Sequence, residues 1–455
     1  MAKPAAACLV LAGLSLLLPS EPSYDPWAWL VWGRELWHGT LDTSGGPSWK
    51  PLPVAVTFLL APAGDVAGPL WLVLARASGL LALVLAFRVA ARLAGRQLVA
   101  RVVAGTVAAV ALALVPLWLR YLAHGNEAPI AVALMLLGFE RHLDDKRAAA
   151  FAAGMVACLL RPELFPFVAL YGLWVAWRAT PWARAAIGVA LVVVPALWIV
   201  PEWIGSGHPL DGGRQATSEP FWSLSLEERP WLAALRRAHH ETGLALELAA
   251  LAAVAFAARE RRLVVLAPAA AAILWLGMYV AMTELGFSGN ARYFLPALVV
   301  ICVLAGVGAG RLAALGPAPA SAAAVALIAV AAWPYVAERV RQDRAEARLI
   351  EQRTRLHRDL AEAVRRLGGP EAVTRFGAPT VNRAFETHLA WELELPVRTV
   401  ERAKARAFVF RNEWRISEPR PLPRWIVARG VRVRVGGWRV FAPPRGRAAR
   451  AVRPG

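Results

Sequence analysis

Of 455 residues, 58% are hydrophobic, the mean hydropathy is +0.46, and Lys and Arg outnumber Asp and Glu by 51 to 32. Apolar runs of about 15–22 residues, separated by short Arg-bearing stretches, exclude a single soluble core and point to repeated membrane crossings. Cys8, Cys158 and Cys302 all fall inside apolar runs, which excludes a disulfide framework and reads them as small buried hydrophobes.

The first run, 4–20, has only Lys3 before it and no small-x-small cleavage pattern after it, so it is expected to be a helix rather than a signal peptide. The stretch 24–50 follows and holds five Trp, two Asp, a Glu, a His and a Lys. Trp prefers the membrane–water boundary, and ionisable groups held beside lipid cost free energy. Within it, 27–37 reads as a helix lying in the interface. Residues 52–62, broken by Pro53 and Pro62, read as interfacial or re-entrant. Ten further spans are expected at 69–91, 102–119, 128–140, 148–160, 164–177, 185–201, 242–258, 263–283, 293–310 and 319–336, about eleven transmembrane helices in all.

Arg92, Arg96 and Arg101 share one short turn, and Arg141, Lys146 and Arg147 the next. Arg178 with Arg184, then Arg259, Arg261 and Arg262, then Arg311, continue the pattern. Positive turns lie in the cytoplasm, so the N-terminus is expected inside and the tail outside. Reading 148–177 as one helix would bury Arg161 and Glu163 at mid-bilayer, at about 2.5–3.5 kcal/mol each. Two short helices meeting at the outer surface avoid that cost. The outer face then collects the loops 21–67 and 202–240 and the turns around Glu127, Arg161 and Arg292.

The composition changes after 337. Residues 338–455 carry 27 Lys and Arg against 13 Asp and Glu. Helical spacing of apolar positions predicts a solvated helix over 338–366, ended by Gly368-Gly369-Pro370. Strands are expected at 372–376, 407–410, 425–428, 431–435 and 438–441, with a helix near 387–395. This makes 338–455 a small basic α/β domain outside the membrane, with 445–455 disordered. Its charge suits anionic membrane lipids or acidic polymers better than nucleic acid, given the membrane beside it.

Asp25 precedes Pro26, which suits a helix start, so it reads as a cap, a catalytic base or both. Glu127 could orient an acceptor, hold a divalent cation or solvate its turn. Lys50 could meet a phosphate or snorkel to head groups. Arg161 and Glu163 could pair with each other. Arg292 and Tyr293 stand at an outer helix mouth, where Arg suits a phosphate through its planar fork of donors. His124, His208, His239 and His240 lack metal-ligand spacing, and no nucleotide-binding or Ser–His–Asp signature occurs.

In order, Tyr24-Asp25, Lys50-Pro51-Leu52, Glu127 and the stretch 289–296 resemble the motifs of the GT-C superfamily of polyprenyl-phosphate-sugar glycosyltransferases. Its members include the protein O-mannosyltransferase and lipid A aminoarabinose transferase families. The resemblance covers about 1–336. YDPWAW, GPSWKPLP and LLRPE also resemble stretches of actinobacterial membrane proteins. It departs at Leu52, which interrupts the Pro-Pro pair, at Asn290-Ala291, which lengthen the Gly–Arg spacing, and in the second acid, for which Glu35 and Asp42 both compete. The resemblance implies a GT-C-like membrane fold and sugar transfer with inversion at the outer face of the cytoplasmic membrane. The donor would be a polyprenyl-phosphate-linked sugar and the acceptor a cell-envelope glycan, lipid or protein. Asp25 and Glu127 would be catalytic, Arg292, Lys50 and Arg161 would bind the donor phosphate, and Tyr24, Trp49, Tyr293 and Glu163 would contact substrate. No cofactor is implied beyond the divalent cation left open at Glu127. The rivals are a transporter or flippase of a lipid-linked sugar and a cell-envelope scaffold.

Overall fold

Runs rich in Ala, Leu and Val, punctuated by Pro and Gly, become helices in the computed structural model, which describes residues 2–217, 222–404, 406–412 and 423–444. In chain order these are α1 (Ala2–Leu14), α2 (Tyr24–Trp37), α3 (Pro51–Leu60), α4 (Ala67–Leu93), α5 (Leu98–Ala113), α6 (Trp118–Ala123) and α7 (Ala128–Leu143). Then come α8 (Arg147–Cys158), α9 (Phe165–Trp177), α10 (Pro181–Ser206), α11 (Asp211–Ala216), α12 (Pro230–Thr242), α13 (Leu244–Arg259), α14 (Leu263–Glu284) and α15 (Ala291–Ala313). Most predicted spans fall on one helix each, but 102–119 runs across the break between α5 and α6; α8 and α9 are separate, joined through a 3-10 turn at Pro162–Leu164. By length and apolarity, five helical segments of the described residues can cross a membrane alone, or six if α12 and α13, bent by 86°, count as one span. The 12 residues of α8 rise only about 18 Å, short of a hydrocarbon core of about 30 Å.

The helical core is built on α15, buried along most of its length against α4, α5 and α13. Alternating glycines permit that approach. A Cβ on Gly308 would lie 1.9 Å from the Ala249 carbonyl oxygen of α13, and one on Gly306 2.3 Å from that of Ala104 on α5. Overpacking of this kind costs about 1–3 kcal/mol. Gly308→Leu is therefore expected to lower the thermal midpoint in detergent, and an unchanged midpoint would contradict the close crossing.

After α15 a single helix, α16 (Ala318–Arg366), runs unbroken from the last apolar run into the tail. The tail continues with α17 (Gly369–Thr374), α18 (Glu386–Glu392), α19 (Val397–Glu401), β1 (Val409–Asn412), α20 (Arg424–Val427), β2 (Val431–Val435) and β3 (Trp438–Phe441). The strands form an antiparallel sheet ordered β1-β3-β2. Of the expected strands 372–376 and 425–428, residues 372–374 lie on α17 and 425–427 on α20 instead. A Pro stands in the first turn of α17 and caps α20, and each starts a short helix before β-propensity can act. The expectation for 445–455 lies outside the described residues.

The expected interfacial helix is α2, and it is not left on a surface. Trp27, Trp29 and Trp32 are buried, and only Trp37 of its four indoles is exposed. The tail closes over it: Trp29, Trp32, Trp49 and Trp71 share one core with Phe385, Leu389 and Trp438.

Candidate active site

Five charged residues, far apart in the chain, are delivered to one place by the starts of helices. Lys50 and Arg161 each precede a Pro, which holds them extended at φ −140° and −138°. Glu127 is the N-cap residue of α7. Asp25 lies in the first turn of α2, whose N-cap is Ser23, so Asp25 is not the cap. Asn290 caps α15 by accepting the Arg292 amide at 3.1 Å, which sets Arg292 in the first turn.

The Arg292 Nη1 donates to Asp25 Oδ2 at 2.8 Å. Lys50 Nζ donates to Glu127 Oε1, which Arg161 Nη2 also approaches at 3.3 Å. The ring of Tyr293 joins the two halves, with Arg161 and Arg292 centred 5.6 and 5.7 Å from it. Lys50 also stands 5.5 Å over the Trp29 ring, a contact that no feature of the sequence beyond the Trp cluster announced.

Two carboxylates against three cations leave one formal positive charge. Burial alone would raise the Glu127 carboxyl, but Lys50, Arg161 and Arg292 outweigh it and hold the group well below the usual carboxylate range. Burial pulls the Lys50 ammonium down to about 8 against the attraction of Glu127. Both groups are shifted downward: Glu127 because three cations outweigh its burial, and Lys50 because burial, with Arg292 and Arg161 nearby, outweighs the attraction of Glu127. The Glu127 side chain is 0% exposed, against 16% for Asp25 and 24% for Arg292. Glu127 thus holds two cations in place, and the pair open to a substrate is Asp25 with Arg292. Both cations lie on Oε1 of Glu127; its Oε2 is buried without a hydrogen-bond partner, and no cluster of three or more metal-ligating side chains occurs among the described residues.

The remaining candidates are placed elsewhere. The Tyr24 hydroxyl donates to Glu401 Oε1 in the tail at 2.6 Å, and burial together with that carboxylate raises the phenol well above its usual value. Trp49 is buried and donates to the Leu197 carbonyl at 3.0 Å. Glu163 forms no ion pair with Arg161 among the described residues, and its Oε2 is buried without a hydrogen-bond partner. Of the competing second acids, Glu35 Oε2 accepts the Asp42 amide at 2.9 Å, and Asp42 Oδ1 accepts the Ser44 amide at 3.0 Å; both shape the loop. The loop 202–240 packs on the first outer loop, with Ser48 Oγ donating to the Gly212 carbonyl at 2.9 Å.

No family model and no curated protein matches the sequence. Among solved structures, ArnT from Cupriavidus metallidurans bound to undecaprenyl phosphate superposes with a TM-score of 0.57 at 16% identity, over 97% of each chain. Its apo state gives a TM-score of 0.53 at 17% identity, over 96% of this chain and 97% of that one. The chain shares its fold with this ArnT. The likeness spans the tail as well as the helices, which extends it beyond the 1–336 covered by the sequence resemblance.

Proposed function

We propose that the protein is an integral membrane glycosyltransferase that moves a sugar from a polyprenyl-phosphate carrier to a cell-envelope glycan, lipid or protein at the outer face of the cytoplasmic membrane. The observation that carries this reading is the convergence of Asp25, Lys50, Glu127, Arg161 and Arg292 at helix starts, on the fold of a protein solved with undecaprenyl phosphate. Helix N-termini carry partial positive charge and add to the net positive charge of the side chains, so the site suits a phosphate. Among α4, α7, α8, α9, α14 and α15 lies an apolar cavity of about 670 Å³, lined by Leu164, Phe167, Tyr171, Val299 and Val303. An apolar isoprenoid chain fits that lining.

In this reading the acceptor hydroxyl gives its proton to Asp25 as its oxygen attacks the anomeric carbon from the face opposite the phosphate. The bond from that carbon to the phosphate oxygen breaks, and the carrier leaves as an anion. Protonation cancels the Asp25 charge, which releases Arg292 to the phosphate just as negative charge appears there. Arg161 and Lys50 supply the standing positive field. In this reading the N-terminus lies in the cytoplasm and the tail outside, where its basic surface meets the acceptor or anionic lipid.

The test is transfer in proteoliposomes from radiolabelled polyprenyl-phosphate sugars to cell-envelope acceptors. Label that crosses the bilayer without transfer would establish the transporter reading instead. Because Lys50 loses its proton as pH rises through about 8, donor affinity is expected to fall above that pH in the wild type. In Lys50→Arg the fall should vanish, since a guanidinium stays charged.

A further inference from the structure

Resting on that reading, we infer that Glu401 of the tail is a positioning residue for the reaction. Its Oε1 accepts both the Tyr24 hydroxyl at 2.6 Å and the Gly46 amide at 3.0 Å. One carboxylate oxygen thereby ties together the two ends of the first outer loop. Tyr24 is the immediate neighbour of Asp25, and Gly46 lies four residues before Lys50.

The first turn of α2 depends on such ties. Its N-cap, Ser23, makes no side-chain capping bond, so the turn that carries Asp25 is held by tertiary contacts. Below, Asp25 meets Arg292. Above, Tyr24 meets Glu401, and the Trp27 ring stacks on His388 of α18 at 4.3 Å and 19°. The single turn of α19 presents Arg398 on the same side as Glu401, where Arg398 Nη1 donates to Ser44 Oγ at 3.0 Å and Nε reaches Asp42 Oδ2 at 3.3 Å. The fit is close: a Cβ on Gly45 would lie 2.6 Å from both the Arg398 Cα and Glu401 Oε2. Successive helix residues point about 100° apart, so a first turn that slips at Tyr24 also carries Asp25 off Arg292.

A misplacement of about 1 Å costs about 10²-fold in rate. Full-length Glu401→Ala is therefore expected to lower kcat by about 10–100-fold with the KM values for donor and acceptor unchanged. Glu401→Gln should restore most of the rate, because its amide oxygen accepts the same two hydrogens. Tyr24→Phe, which removes one of them, should fall between. Amide hydrogen exchange over 24–46 should quicken in Glu401→Ala and return to normal in Glu401→Gln. Three results would overturn the inference: wild-type kcat in Glu401→Ala, a loss confined to acceptor KM, or a Glu401→Gln as impaired as the Ala variant. Exchange keeps the two proposals separable. A wild-type protein that transfers no sugar, with exchange still quickened in Glu401→Ala, sinks the reaction and leaves the clamp standing; unchanged exchange sinks the clamp.

Discussion

Asp25→Asn should lower kcat for sugar transfer by about 10²–10⁴-fold, the usual contribution of a positioned general base, with the donor still bound. Asn matches Asp in size, and its amide oxygen can still accept from Arg292 Nη1, which Asp25 Oδ2 meets at 2.8 Å. What it lacks is the ability to take a proton at neutral pH. Removing the negative charge also raises the net positive charge of the site, so donor affinity should hold or rise. A lost kcat with an undiminished donor affinity is thus the signature of the base. Transfer that persists in Asp25→Asn would show that another group takes the proton.

The second large effect is on stability. In Glu127→Gln, Lys50 and Arg161 lose the carboxylate that both approach, and their side chains are only 10% and 4% exposed. Breaking a buried pair by removing one partner costs about 3–5 kcal/mol, because the remaining charge has no water to return to. Equilibrium unfolding in detergent should show a loss of that size. Adding Lys50→Met should recover part of it, since the double variant no longer buries one of the uncompensated charges, and a double-mutant cycle measures the coupling. A loss under about 1 kcal/mol would mean that water reaches the cluster and that Glu127 stands closer to a surface group.

Several site residues were readable because their local chemistry is local in sequence. Pro after Lys50 and after Arg161 dictates extended backbone at both, and Asn290 before Arg292 is a helix cap. The break between α8 and α9 followed from the cost of charge at mid-bilayer. The partner of Tyr24 was not legible in the sequence, because Glu401 lies 377 residues away. The Trp cluster was misjudged for the same reason. Indoles that suit a membrane surface suit a domain interface equally, and only the docked tail distinguishes them. In the tail, 372–376 carries Val and Phe as a strand would, yet the Pro at the start of α17 makes its first three residues helical.

Apolar runs, their Pro and Gly breaks and the distribution of Arg are properties of contiguous sequence. They determine where the helices lie, because burying backbone in an apolar surrounding leaves few alternatives to a helix. Which charges neutralise each other is a property of distance in space. The tertiary structure alone decided that Arg292 answers Asp25, that Lys50 and Arg161 share Glu127, and that the tail seals the first outer loop. Ion pairing and burial fall off within a few ångströms, and spacing along the chain carries no information about contacts between residues 267 positions apart.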